Sequence, residues 1–167
     1  AYVASLSGGF IVVDKSDPSA PAQVGSFTVD WAALNVDVLD NIACVASGYG
    51  GLYILDISNP LQPIQLGLVD TQDIWAYDVK IDSNYVYMGY SLASGGGGLK
   101  VIEISNPAVP QVRSDLVLET PLRRIDYNSG YVTAAGDDAG MLVIEVTNPS
   151  SPRVVGGWQN GYGKNII

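Results

Sequence analysis

No histidine occurs among the 167 residues, and cysteine occurs once, at Cys44. The first absence removes the usual general base, the commonest metal ligand and every Ser-His or Cys-His nucleophile arrangement. With a single thiol, an internal disulfide framework is excluded, and transition metals lose their preferred donors. Cys44 lies in the apolar run IACVAS and reads as a buried structural thiol. Basic residues are also scarce: eight Lys and Arg against seventeen Asp and Glu leave a formal net charge of −9. Arg123-Arg124 is the only adjacent basic pair. A phosphate backbone requires clustered positive charge, so nucleic acid is not an expected partner, and adsorption to anionic lipid is disfavoured. No run approaches the roughly 18–20 apolar residues that cross a bilayer, so no membrane insertion is expected. No segment sustains a 3.6-residue apolar period, and glycine or proline interrupts every helical candidate.

The chain is rich in glycine (19), proline (9) and tyrosine (10), and 47% of its residues are apolar. Such a composition predicts a folded chain of many short strands and tight turns. One phrase is written four times: FIVVDKSDPSAP at 10–21, LYILDISNPLQP at 52–63, LKVIEISNPAVP at 99–110 and MLVIEVTNPSSP at 141–152. Its first prolines, Pro18, Pro60, Pro107 and Pro149, are spaced 42, 47 and 42 residues apart. A fixed period of this length marks a tandem array.

Turn residues recur at matched offsets. Gly9, Gly51, Gly98 and Gly140 each stand nine residues before the first proline, where a tight hairpin demands positive φ. Asp17, Asn59, Asn106 and Asn148 precede that proline and can cap the turn. Between the turns, the second unit resolves into extended segments at 42–47, 52–57, 64–69 and 75–81, with Ser83-Asn84 turning into the next unit. The strands are nearly continuous in apolar residues, the pattern of strands covered on both faces. An all-β fold follows: a β-propeller of four-stranded antiparallel blades of about 42 residues, four repeats filling 1–167. A stacked solenoid is the alternative, although its rungs are usually shorter.

The phrases LYILDISNP, LKVIEISNP and MLVIEVTNP resemble the LVIVD repeat, named for that strand and followed by a similar Asp-x-Ser-Asn-Pro turn; FIVVDKSDP is a more divergent copy. The resemblance implies propeller-forming repeats of bacterial and archaeal proteins, many of them secreted or attached to the cell surface. It carries no agreed activity and no catalytic residues. The register also predicts a cut within a blade at each end. AYVAS at 1–5 aligns with ACVAS at 43–47, a second strand, and GYGKNII at 161–167 aligns with a first strand. Two expectations follow: an arc of a longer propeller of six to eight blades, or four blades closed by a composite blade.

Three residue sets are candidates for chemistry. The repeated acids Asp14, Asp56, Glu103 and Glu145 end a strand in each unit and read as turn-stabilising acceptors rather than a ring of cation ligands. Asp30, Asp73 and Glu119 lie in loops entering the innermost strands, with Trp31, Trp75 and Tyr162 at or beside the same positions. Loops at a channel mouth on a rigid scaffold are where binding usually resides, and aromatic faces among acids suit a sugar or a cationic group. The bland alternative is packing of both tryptophans between blades. On the innermost strands, Asn35, Asp78, Arg124 and Asn165 occupy equivalent positions and are expected to face the channel. Gly95–Gly98 reads as an extension of a hairpin turn and not a phosphate loop, and Asp137-Asp138 as a solvated turn more than a calcium contributor.

The functional expectation is a non-catalytic extracellular or cell-surface binding module, needing no cofactor and recognising other proteins or extracellular polymers. The alternatives are a structural subunit that pairs strands with another chain or with more of its own polypeptide, and a carboxylate-based hydrolase or lyase using Asp30, Asp73 and Glu119.

Overall fold

The computed structural model describes residues 1–137 and 139–158. Fifteen strands, and no helix among the described residues, form four antiparallel sheets. The first sheet has three strands, β1 (Tyr2–Ser5), β2 (Gly9–Asp14) and β3 (Ala22–Phe27). The second runs β4 (Asn35–Leu39), β5 (Ile42–Ala46), β6 (Leu52–Asp56), β7 (Ile64–Val69), and the third β8 (Ile74–Asp82), β9 (Tyr85–Leu92), β10 (Gly97–Glu103), β11 (Gln111–Leu118). The fourth runs β12 (Leu122–Asn128), β13 (Tyr131–Gly136), β14 (Gly140–Glu145), β15 (Arg153–Trp158). Within every sheet, chain neighbours are sheet neighbours, the meander of a propeller blade. Each blade therefore opens with the segment that closes the repeated sequence unit: Ile74–Asp82 pairs forward with β9, not back with β7. The first blade has three strands because Tyr2–Ser5 is a second strand, as its register predicts. The segment 161–167, which aligns with a first strand, lies outside the described residues.

The turn chemistry of the repeat is visible atom by atom. Asp17, Asn59, Asn106 and Asn148 each accept, through Oδ1, the backbone N–H two residues ahead, at 2.9–3.2 Å. Their carbonyls accept the N–H three residues ahead, closing a β-turn around the proline. Asp14 and Asp56 accept the N–H of Ser16 and Ser58, and Glu103 and Glu145 the hydroxyls of Ser105 and Thr147. Glu103 and Glu145 also pair across the strand with Arg113 and Arg153. The acids are thus acceptors at the turns. Gly51 takes φ 79°, and a Cβ there would lie 2.1 Å from the Val69 carbonyl. The longer third repeat departs from expectation: the extra residues lengthen β9 and β10 rather than loop out, and the turn itself moves to 93–96.

Three apolar cores fill the gaps between blades. Phe10 and Val12 meet Val45, Tyr53 and Leu55 between the first and second blades. Cys44, Leu52 and Ile54 meet Val79, Met88 and Ile102 between the second and third. Leu99 and Val101 meet Ile125, Leu142 and Ile144 between the third and fourth. Strands β5, β6, β9 and β10 are buried on both faces, whereas β13 alternates buried and exposed residues because, among the described residues, a neighbour covers only one side. The arrangement is quasi-one-dimensional, each blade stabilised by the next.

A common irregularity prepares the blade contacts. In all four sheets the pairing of the third and outermost strands shifts by one residue, at Val12/Val13, Ile54/Leu55, Val101/Ile102 and Val143/Ile144. Such a bulge bends the outer strand and raises its twist. Beside it stand Gly25, Gly67, Ser114 and Gly156, the partners of Val12, Ile54, Val101 and Val143. The carbonyl of Pro60 sits so close to Gly25 that a Cβ would be 2.1 Å from it, and Pro107 meets Gly67 identically. Ser114 instead donates its hydroxyl to the Pro149 carbonyl at 2.7 Å. The Asx-Pro turns at Pro60, Pro107 and Pro149 thereby seat on the outer strand of the blade before each.

Candidate functional site

At one mouth of the arc, side chains from three blades meet. Trp31 comes from the connection between β3 and β4, Tyr49 from the β5–β6 hairpin, and Trp75 and Tyr77 from the start of β8. Tyr77 falls at the register shift between Ala76 and Asp78, where β8 bulges against β9, and its ring lies beside that of Trp75. Tyr49 packs edge-on against Trp75 at 4.9 Å between centroids and against Trp31 at 5.4 Å. Trp31 and Trp75 are 6.4 Å apart, and Trp75 and Tyr77 6.3 Å. Separations in this range and edge-to-face geometry are what ring quadrupoles favour.

Backbone geometry holds the cluster in place. Gly48, at φ 51°, exchanges two hydrogen bonds with Ala76, tying the hairpin of one blade to the inner strand of the next. A Cβ on Gly48 would come within 3.2 Å of the Trp75 ring, so glycine lets the indole lie against the main chain. Beneath the hairpin, the Ser47 hydroxyl is buried and has no hydrogen-bond partner among the described residues. Trp31 is 54% exposed, while Tyr49, Trp75 and Tyr77 are half-buried.

Arg123, from β12, closes the far end. Its guanidinium lies 4.7 Å from the Tyr77 centroid and donates to the Tyr77 hydroxyl. It also grips Asp137 through two hydrogen bonds of 2.6 and 2.8 Å. This planar bidentate pairing holds the Asp137 carboxyl below its usual range. Asp137 is thus committed to arginine; Asp138 lies outside the described residues. Among the described residues no group of three or more His, Cys, Asp or Glu could hold a metal.

The sequence-derived candidates are distributed as follows. Trp31 and Trp75 come together in the cluster. Asp30 points elsewhere: its carboxylate accepts the Tyr53 hydroxyl at 2.8 Å, and burial together with that bond raises the Tyr53 pKa. Asp73 and Glu119 are exposed in the β7–β8 and β11–β12 connections, so the three acids sit on three different blade junctions. Tyr162 and Asn165 lie outside the described residues. On the inner strands Asn35 is half-buried and Arg124 exposed.

Asp78 departs from its expected place facing the channel, being only 2% exposed. Its two oxygens accept the N–H of Val79 at 2.9 Å and of Ile125, on the neighbouring inner strand, at 2.8 Å. Asp37 likewise accepts the N–H of Ile81 across the preceding gap, at 2.9 Å. An innermost strand has one edge without a strand partner, and its N–H groups need acceptors. These carboxylates supply them. Burial raises the Asp78 pKa, against the lowering effect of both N–H groups and Arg124. Cys44 is fully buried, and its thiol is pushed up to about 12, chiefly by burial and then by the charge of Asp37. It stays protonated and unreactive at neutral pH.

Tyr49, Tyr77 and Arg123 complete the cluster without having been candidates on sequence grounds. Their signals were present: an aromatic set between turn glycines, a tyrosine two residues after Trp75, and an arginine beside Arg124.

In comparison with known proteins, no curated protein matches the chain. A crystal structure of the computationally designed Ika8 protein superposes with a TM-score of 0.72 at 16% identity, over 95% of this chain and 46% of that one. At that identity the likeness concerns the fold, and this chain spans just under half the length of the designed protein. The LVIVD repeat matches at residues 1–29, 32–71, 75–115 and 125–159, in phase with the four blades. With most of its length accounted for by four copies of the repeat, the chain belongs to the LVIVD repeat family.

Proposed function

We propose that this chain is a non-catalytic binding module, acting outside the cell or at its surface, and that its ligand is a glycan held at the aromatic mouth. The observation that carries the reading is the continuous Trp31–Tyr49–Trp75–Tyr77 cluster ending in the Arg123–Asp137 pair. The C–H faces of a sugar ring stack on indole and phenol rings, and its hydroxyls find donors and acceptors in a guanidinium–carboxylate pair. The cluster is assembled from three blades that mutually brace it, so little order has to be imposed on binding. Asp73, exposed on the connection leading into Trp75, extends the polar rim. The extracellular setting rests on the family resemblance.

Screening on a glycan array, followed by tryptophan-fluorescence titration of the best polymer, tests the reading. Trp31→Ala and Tyr77→Phe separate stacking from hydrogen bonding. Trp31→Ala is expected to weaken binding about tenfold or more, as for a buried aromatic anchor. Absence of any glycan ligand, or binding that Trp31→Ala leaves untouched, defeats the reading.

A further inference from the structure

The aromatic mouth is short of positive charge. The connections and hairpins at that end of the blades, 28–34, 47–51, 70–73, 93–96, 119–121 and 137–139, contain no Lys or Arg. They carry Asp70, Asp73, Glu119 and Asp137, all exposed, and Asp30, which is bonded to the Tyr53 hydroxyl. The guanidinium that reaches the rings is that of Arg123, and its charge is already met: it donates two hydrogen bonds to Asp137 and one to Tyr77. Two matching irregularities produce this arrangement. Tyr77 is the extra residue where β8 slips against β9 between Ala76 and Asp78, and Arg123 is the extra residue where β12 slips against β13 between Leu122 and Arg124. A bulge re-aims the side chain it carries, and here it brings ring and guanidinium into contact across two blades. Arg124, the next residue, favours the charged form of the buried Asp78 carboxyl. A mouth lined by acids with apolar walls concentrates cations and repels anions.

We propose that the glycan held at this mouth is a polymer of amino sugars with free ammonium groups. The inference rests on the glycan reading and names the chemical class of its ligand. An ammonium group over the exposed Trp31 face gains cation–π attraction. Along the polymer, a second ammonium meets Asp73, on the connection leading into Trp75, in a charge-assisted hydrogen bond. Acetylation of the amines removes their charge and forfeits both contributions. A polymer of acidic sugars brings negative charge to a rim whose arginine is occupied. Asp137 is therefore a specificity-determining residue, because it cancels the charge of Arg123 that would otherwise attract an acidic sugar.

Tryptophan-fluorescence titration with three oligomers of equal length, of glucosamine, N-acetylglucosamine and galacturonic acid, tests the proposal at pH about 5.5, where amines are protonated and carboxylates ionised. Glucosamine is expected to bind tightest, by about fivefold or more over the acetylated oligomer, with the uronate weakest. That advantage should shrink as salt is raised. Asp73→Asn and Asp137→Asn should each lower the ratio of glucosamine to N-acetylglucosamine affinity, whereas Trp31→Ala should weaken both oligomers. Asp137→Asn should also raise uronate affinity, since Arg123 is released. An acetylated or uronate oligomer that binds as tightly as glucosamine overturns the proposal and leaves the glycan reading standing. Amine binding that survives Trp31→Ala and both acid variants is adsorption to net charge and overturns it equally. If none of the three binds while the array yields another glycan, the proposal alone fails; if no glycan binds at all, both readings fail.

Discussion

Asp78 shows how a single residue can be rightly aligned and wrongly assigned. It shares its strand position with Asn35 and Arg124, yet it alone is buried as acceptor for two backbone N–H groups. Asp78→Ala leaves the Ile125 N–H buried without that partner and is expected to cost about 1–3 kcal/mol in urea denaturation. The turn acids behave oppositely on titration. Asp14 and Asp56 are held below the ordinary value of 3.8 mainly by the N–H of Ser16 and Ser58, and Glu103 below 4.5 by Ser105 and Arg113. A depressed folded-state pKa means stability that is complete above the unfolded value and lost as pH falls through the folded one. Melting temperature should therefore be steady above about pH 5 and decline as pH drops below about 4. Asp78, whose pKa is raised, works against that trend: its contribution is greatest below 3.8 and falls as pH rises through its folded value. Asp78→Asn should consequently steepen the acid decline, and an unchanged pH profile would show that the carboxyl titrates as in the unfolded chain.

Among the elements, the hairpins and Asx-Pro turns were legible in the sequence, because their chemistry is local and recurs four times. The bulge beside the outer strand was not. It is a mismatch between two strands, visible only when their register is known. Its consequence is testable at Gly67, where a side chain would meet the Pro107 carbonyl. Gly67→Leu must push the next blade away and should destabilise by roughly 1–3 kcal/mol or more, measured by chemical denaturation. Gly156→Leu, the same substitution where no described residue comes within 4 Å of a Cβ, should leave unfolding unchanged. Equal effects at the two positions would mean that strand conformation, not the neighbouring turn, demands glycine.

At the scale of the whole molecule, stability follows the order of blades. The middle strands of the second and third blades are buried on both faces, whereas β13 of the fourth, among the described residues, is covered on one. In such an array the ends open at lower free energy than the middle. Hydrogen exchange followed by mass spectrometry should find amides of β5, β6, β9 and β10 protected most, with β1 and β15 exchanging first. Uniform protection from end to end would indicate one cooperative unit instead.

By itself, the sequence determined the blade: its four strands, its turns, its period and its family all follow from local chemistry repeated in phase. It also set Trp31 and Trp75 at matching positions beside the innermost strands, whereas the contact of their rings is a product of the tertiary structure. The tertiary structure alone decided the rest. Tyr49 meets Trp75, and Arg123 meets Tyr77, only because neighbouring blades pack side by side. Asp78 was withdrawn from the channel by an unpaired strand edge that no alignment reveals. The crowding at Gly25 and Gly67 is likewise set by the turn of the next blade, because occupancy is a property of neighbours and not of the residue.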